Sequence, residues 1–167
     1  GWLLQQLSAQ ALIAGSSVYK DRVGEQVATP ALSVRSRFDA PGHRTFTTDG
    51  FTTEPIHLID NGALTTLLLD RYGSRKTSLS HTPSTSGWRI DPGSEIKAAL
   101  VGAVERGALV NRLAMGVPAA NGEFSGVIKN SFIIEGGSVG KALSDTMVAG
   151  NMAQMLMDIN GISAEHI

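Results

Sequence analysis

Four histidines, His43, His57, His81 and His166, are the natural candidates for acid–base or metal chemistry in this chain. No two of them stand four residues apart, and no HExxH motif occurs, so a zinc-binding helix is not encoded. Asp39 and His43 have that spacing, but Pro41-Gly42 between them forbids a regular helix. His57 falls among apolar neighbours and reads as a partly buried strand histidine. His81 lies in a polar stretch from which it could reach a site. With no cysteine in the chain, disulfides, thiolate nucleophiles and cysteine metal sites are all excluded.

Other chemistries find weaker support. Ser125 sits in Phe124-Ser125-Gly126, which is not the GxSxG nucleophile elbow; a turn serine bonded to local backbone is the simpler reading. Gly136-Gly137-Ser138-Val139-Gly140-Lys141 evokes a phosphate cradle but lacks its spacing and its Ser or Thr after the lysine, and reads as a hairpin turn. Arg71, Arg75, Lys76 and Arg89 interleave with Tyr72 and Trp88, a pattern able to grip a single strand of nucleic acid. A formal net charge of −1 argues against that and for a solvated loop or a peptide-binding flap. The alternating run Val127–Glu135 could receive a peptide by main-chain pairing if it lay at a sheet edge.

The elements that position these residues follow from periodicity. At 167 residues with 42% apolar content, the chain has the size of one domain and can bury a core. No apolar run approaches the roughly 20 residues that span a bilayer, so no membrane is expected. Residues 2–14 carry Leu4, Leu7, Ala11 and Ala14 at helical spacing, closed by Gly15. Residues 31–38 alternate, with Leu32, Val34 and Phe38 on one face. Asp39 to Gly42 and Thr48-Asp49-Gly50 are turn chemistry, and Asn61-Gly62 between apolar runs predicts a hairpin. Residues 71–93 are polar and read as a long loop.

Ser94 is the expected cap of a helix bearing Ile96, Leu100, Val101 and Val104 and closed by Gly107. Ala108 to Met115 returns as a strand, and Pro118 to Gly122 turns the chain. Along Val127–Glu135, Ile128, Phe132 and Ile134 share one face, and Lys129, Ser131 and Glu135 the other. Gly136-Gly137 reverses the chain, 147–149 form a short strand, and Asn151 caps a last helix ended by Gly161. Strands joined by hairpins, with helices between the runs, predict an α+β fold with an antiparallel sheet. Without a repeat or composition shift, residues 1–167 are taken as a single domain.

The block Asn121–Asn151, NGEFSGVIKNSFIIEGGSVGKALSDTMVAGN, is the most distinctive text in the chain. Together with Val23-Gly24-Glu25-Gln26-Val27, Ile59-Asp60-Asn61-Gly62 and Tyr72-Gly73-Ser74-Arg75-Lys76, it resembles the C-terminal domain of the TldD/PmbA family. These proteins were first described as modulators of DNA gyrase and are regarded as peptide-processing metalloproteases. The resemblance implies an α+β fold with a barrel-like, mainly antiparallel sheet, and a cytoplasmic location.

It also implies a parent more than twice this length, whose N-terminal half is absent from these residues. The family's catalytic branch holds zinc with an HExxxH helix and a cysteine. The family's cysteine neighbourhood falls near Ala114-Met115-Gly116, where Met115 is no zinc thiolate. The NGEFSG wording resembles the PmbA (TldE) branch, which lacks the zinc set. Expected from this are no catalytic residue, no metal ligand and no cofactor in the chain, with zinc only in a catalytic partner. Expected partners are a second copy or a TldD-like subunit, and a peptide substrate. Asn121, Gly122, Phe124, Ser125, Asn130, Gly150 and Asn151 are read as a peptide-binding or structural signature. A regulatory protein-binding module of the gyrase-modulator kind is the alternative.

Overall fold

The computed structural model describes residues 1–38, 40–84, 87–144 and 146–165. The chain divides into two compact units, residues 1–91 with 156–159, and residues 92–155 with 160–167. Asp39 and His166 lie outside the described residues.

The first unit opens with two short helices where periodicity predicts one. Helices α1 (Trp2–Gln6) and α2 (Ala9–Ile13) are separated at Leu7-Ser8. The break has a local cause. Ser8 adopts an extended conformation, caps α2 through its side chain, and makes a parallel bridge to Leu68. Gly15 does close α2: its φ is +69°, and the amides of Gly15 and Ser16 donate to the carbonyls of Leu12 and Ala11. That bond pair is the Schellman arrangement, which needs a left-handed residue after the helix.

The sheet of this unit is antiparallel, in the order β3-β2-β1-β4. Its strands are β1 (Val34–Ser36), β2 (His57–Asp60), β3 (Ala63–Leu64) and β4 (Trp88–Ile90). Asn61 and Gly62 turn β2 into β3 with φ of +46° and +81°, the type I′ geometry expected of Asn-Gly. The predicted alternation of 31–38 holds for Leu32 and Val34, which are buried, and fails at Phe38, which is exposed. The stretch 71–93 is not one long loop. It contains α3 (Arg71–Thr77), capped by the Asp70 carboxylate, and strand β4, which pairs with β1. Gly73 belongs to α3 because a β-carbon there would collide with that of Ala9 on α2.

The second unit holds two three-stranded antiparallel sheets, ordered β10-β7-β6 and β5-β8-β9. Its strands are β5 (Arg106–Leu109), β6 (Arg112–Met115), β7 (Glu123–Lys129), β8 (Ser131–Glu135), β9 (Ser138–Leu143) and β10 (Thr146–Asn151). The expected strand over 108–115 is therefore two strands in different sheets. The alternating run 127–135 is also divided. Asn130 takes φ +51°, and this left-handed corner sends β7 to one sheet and β8 to the other. A change of face accompanies the corner: Ser131, expected opposite Ile128 and Ile134, is buried with them. Both β7 and β8 are central strands, so this run offers no free edge to a peptide. Gly136-Gly137 makes the predicted reversal between β8 and β9, with φ of +54° and +74°.

Helix α4 (Lys97–Gly102) starts after Ile96, not Ser94, and has no cap from its own N-terminal residues. Its Lys97 amide donates to the carboxylate of Glu165, 68 residues away. It ends at Ala103, and Gly107 lies within β5. Helix α5 (Met152–Met157) stops four residues before Gly161. The fold is thus α+β and antiparallel. Among the described residues all three sheets are open and none closes on itself, which corrects the barrel-like expectation. Among the described residues no helix is long and apolar enough to cross a membrane.

The two units differ sharply in core. Of the buried apolar side chains among the described residues, fifteen belong to the first unit and only Ile128 and Ile134 to the second.

Candidate functional site

The signature residues converge on one end of the β10-β7-β6 sheet. Asn121 begins a turn by accepting from the Glu123 amide at 3.1 Å through Oδ1. Gly122, at φ +92°, is buried, and its carbonyl accepts from the Met152 amide at 2.8 Å. Asn151 completes the junction. Its Oδ1 accepts from the amides of Ala153 at 2.9 Å and Gln154 at 3.3 Å, capping α5 as predicted. Its Nδ2 donates to the Asn121 carbonyl at 2.9 Å. One amide side chain therefore joins a turn, a strand end and a helix start, which needs both a donor and an acceptor.

Phe124 stands opposite Gly150 in the β7–β10 register, and Ser125 opposite Ala149. A β-carbon at Gly150 would come within 3.2 Å of the Phe124 ring, so the ring lies across the glycine. Phe124, Ser125, Ala149 and Gly150 line an open groove of about 690 Å³ together with Gly116, Val117, Ala119 and Glu123. Among the described residues no histidine lines the groove, and none of them offers Ser125 an imidazole base there. Asn130 is apart from this cluster, at the corner between sheets, where its role is conformational.

A second cluster forms in the first unit. Asp49 accepts from the Thr47 hydroxyl at 2.5 Å and from the Arg71 amide at 3.2 Å. The Nε2 of His81 stands 3.8 Å from its Oδ2. The Thr47 hydroxyl above all holds the Asp49 carboxyl below the usual aspartate range; desolvation opposes it, and the Arg71 amide and, least, His81 add to the lowering. The His81 ring packs on Phe51 at 4.6 Å, and the Arg71 guanidinium sits 5.9 Å from the same ring. Two cavities of about 480 and 320 Å³ meet here, sharing Thr48, Asp49 and Asp70. Sequence reading left His81 unplaced and treated Asp49 only as a turn residue. No local pattern links positions 32 residues apart.

Of the other described histidines, His43 packs on Phe38 at 4.7 Å, and His57, expected to be partly buried, is exposed at the start of β2. His43 Nε2 lies 3.0 Å from the Thr53 hydroxyl, and His57 Nδ1 lies 3.7 Å from Asp60. Among the described residues no three His, Asp or Glu side chains gather as a metal-binding group. With no thiolate in the sequence either, these donors do not fit a hydrolytic zinc ion.

The sequence profile of the PmbA/TldA metallopeptidase C-terminal domain matches residues 1–166. The chain belongs to this family. It is 29% identical over 160 residues to the metalloprotease PmbA of Escherichia coli O157:H7, covering 88% of this chain and 35% of that protein. It is 25% identical over 167 residues to a PmbA homolog of Haemophilus influenzae, covering 92% of this chain and 37% of the homolog. The structure superposes with a TM-score of 0.88 on a candidate modulator of DNA gyrase from Bacteroides thetaiotaomicron, at 26% identity over 97% of this chain and 38% of that one. TldE from Thermococcus kodakarensis shares the fold, with a TM-score of 0.82 at 23% identity over 98% of this chain and 41% of TldE. The chain thus spans little more than a third of the length of the curated relatives it matches.

Proposed function

We propose that this domain is the non-catalytic, PmbA-type contribution to a peptide-processing assembly: it walls the peptide chamber and provides a subunit interface, and leaves zinc to a TldD-like partner. The observation that carries this reading is the imbalance of the two cores. A unit of six strands and a helix in which, among the described residues, Ile128 and Ile134 are the only buried apolar side chains has apolar faces in want of cover. Val117 is 82% exposed and Met147 72%, and Met115, Met155 and Val139 are also exposed. Methionine-rich apolar surface adapts well to a protein partner.

The donor set supports the second half of the proposal. With no cysteine in the sequence and, among the described residues, no gathered His, Asp and Glu set, the donors present do not fit a hydrolytic zinc ion. The groove along Phe124, Ser125 and Gly150 is the natural wall of a chamber, being open, partly apolar and fixed by the Asn121–Asn151 junction. The experiment is metal analysis of the purified chain together with peptide cleavage assays, alone and with a TldD-like subunit. The expected result is no stoichiometric zinc, no cleavage alone, and cleavage when the subunit is added. Stoichiometric zinc in the chain alone overturns the non-catalytic assignment.

The alternative, a regulatory adaptor, draws on the gyrase-modulator description of the Bacteroides protein. Stable capture of a partner unrelated to the family, with no association with a TldD-like subunit, would favour it.

A further inference from the structure

We propose that the paired cavities around Asp49 in the first unit recognise a carboxylate carried by a peptide. That a peptide is the bearer rests on the function proposed above; the carboxylate chemistry rests on the cavities themselves. Arg44 lines the larger cavity, and Arg71 and Arg75 line the smaller. Among the described residues none of these three guanidinium groups has a salt bridge, while the Arg22 and Arg35 side chains of the same unit do. The two carboxylates of the cleft are already engaged. Asp49 takes the Thr47 hydroxyl and the Arg71 amide, and Asp70 takes the Gly73 amide at 2.6 Å. Three arginines against two carboxylates leave a small positive surplus.

That surplus selects the ligand. A guanidinium fork matches a carboxylate with two parallel hydrogen bonds. A single carboxylate neutralises a surplus of one, whereas a doubly charged phosphate overshoots it and leaves an excess negative charge beside Asp49 and Asp70. Elsewhere the larger cavity mixes the hydroxyls of Thr47, Thr48 and Thr82 with Leu68, Leu69 and the exposed Phe46. Tyr72, also exposed, lines the smaller cavity. Hydroxyls and exposed aromatics beside three arginines suit a peptide segment whose single charge is one carboxylate, terminal or on a side chain. A single strand of nucleic acid would stack on the same aromatics, but it brings a charge on every residue to a cleft with two acids in it.

The test is calorimetric titration of the purified chain with four probes. These are N-acetyl-Ala-Ala-Phe as the free acid, the same peptide as its C-terminal amide, N-acetyl-Ala-Asp-Ala amide, and an oligothymidylate. Binding of either acidic peptide at least tenfold tighter than the amide supports the proposal, and which of the two binds identifies a terminal or a side-chain carboxylate. Arg71→Gln and Arg75→Gln should each weaken that binding about tenfold while leaving the thermal melting curve unchanged. Equal or absent binding of acid and amide overturns it, as does tighter binding of the oligothymidylate. The readout needs neither zinc nor a partner subunit. Loss of discrimination here leaves the interface proposal standing, and failure of assembly leaves this binding measurable.

Discussion

Asn151 holds Asn121: its side-chain NH2 donates to the Asn121 carbonyl at 2.9 Å while its oxygen caps helix α5. The turn, the end of β10 and the start of α5 thus share one amide side chain, alongside the backbone bond from Met152 to the Gly122 carbonyl. Asn151→Ala removes both functions and should cost about 1 to 2 kcal/mol in urea unfolding. Asn151→Asp keeps the cap and loses only the donor, so it should cost less than the alanine variant. Equal costs would deny the bond to Asn121 any weight.

Gly62→Ala should be among the most damaging single-methyl changes in the first unit. Gly62 has φ +81°, and its missing β-carbon would strike the side chain of Gln26 and the carbonyls of Ala28 and Thr29. Backbone strain and backbone collision add, so a loss of at least about 2 kcal/mol is expected. Asn61→Gly, at the same turn but with φ +46° already tolerated, should change stability by less than about 1 kcal/mol. Chemical denaturation of the two variants side by side checks this.

Tyr19→Phe should leave stability unchanged or slightly raised. The Tyr19 ring is fully buried and meets Trp2 edge-on at 5.9 Å, yet its hydroxyl has no hydrogen-bond partner among the described residues. Burial pushes the phenol pKa up, partly offset by Arg22. Deleting an unsatisfied buried hydroxyl removes a desolvation cost of about 1 to 3 kcal/mol, less any packing lost with the oxygen. A destabilisation beyond about 1 kcal/mol would show that the hydroxyl has a partner.

Acid should loosen helix α4 through Glu165. The Lys97 amide, as the largest influence, holds the Glu165 carboxyl below its ordinary range. A lowered folded pKa favours folding above the unfolded value of about 4.3, and that contribution is lost as pH falls through the lower folded value. The protection of the Lys97 amide against hydrogen exchange, taken relative to its intrinsic rate at each pH, should therefore fall at acid pH in the native chain. In Glu165→Gln, which has no carboxylate to titrate, that acid-dependent component should vanish. Asp49 titrates in the same direction, and its effect should appear at the Arg71 amide instead.

Local chemistry in the sequence announced the turns well. Asn61-Gly62, Gly136-Gly137, Gly15 and the Asn151 cap all behave as their residue types demand, because each is decided within a few residues. Longer-range competition decided the rest. Ser8 breaks a helical pattern because Leu68 offers a strand partner. Ser94 loses its cap role because Glu165 reaches the helix first. Asn130 divides an unbroken alternation because two sheets claim its two halves. The Asp49–His81 cleft was invisible for the same reason: its two sides are brought together only by the fold.

The central claim is that the second unit presents an interface that completes its thin core. Hydrogen–deuterium exchange across residues 106–155, on the chain alone and after addition of a TldD-like family subunit, tests it most directly. The account predicts fast exchange at the edge strands β6 and β10 in the isolated chain and strong protection of both once the subunit is present. Unchanged exchange in these strands, despite a stable complex held elsewhere, would contradict it.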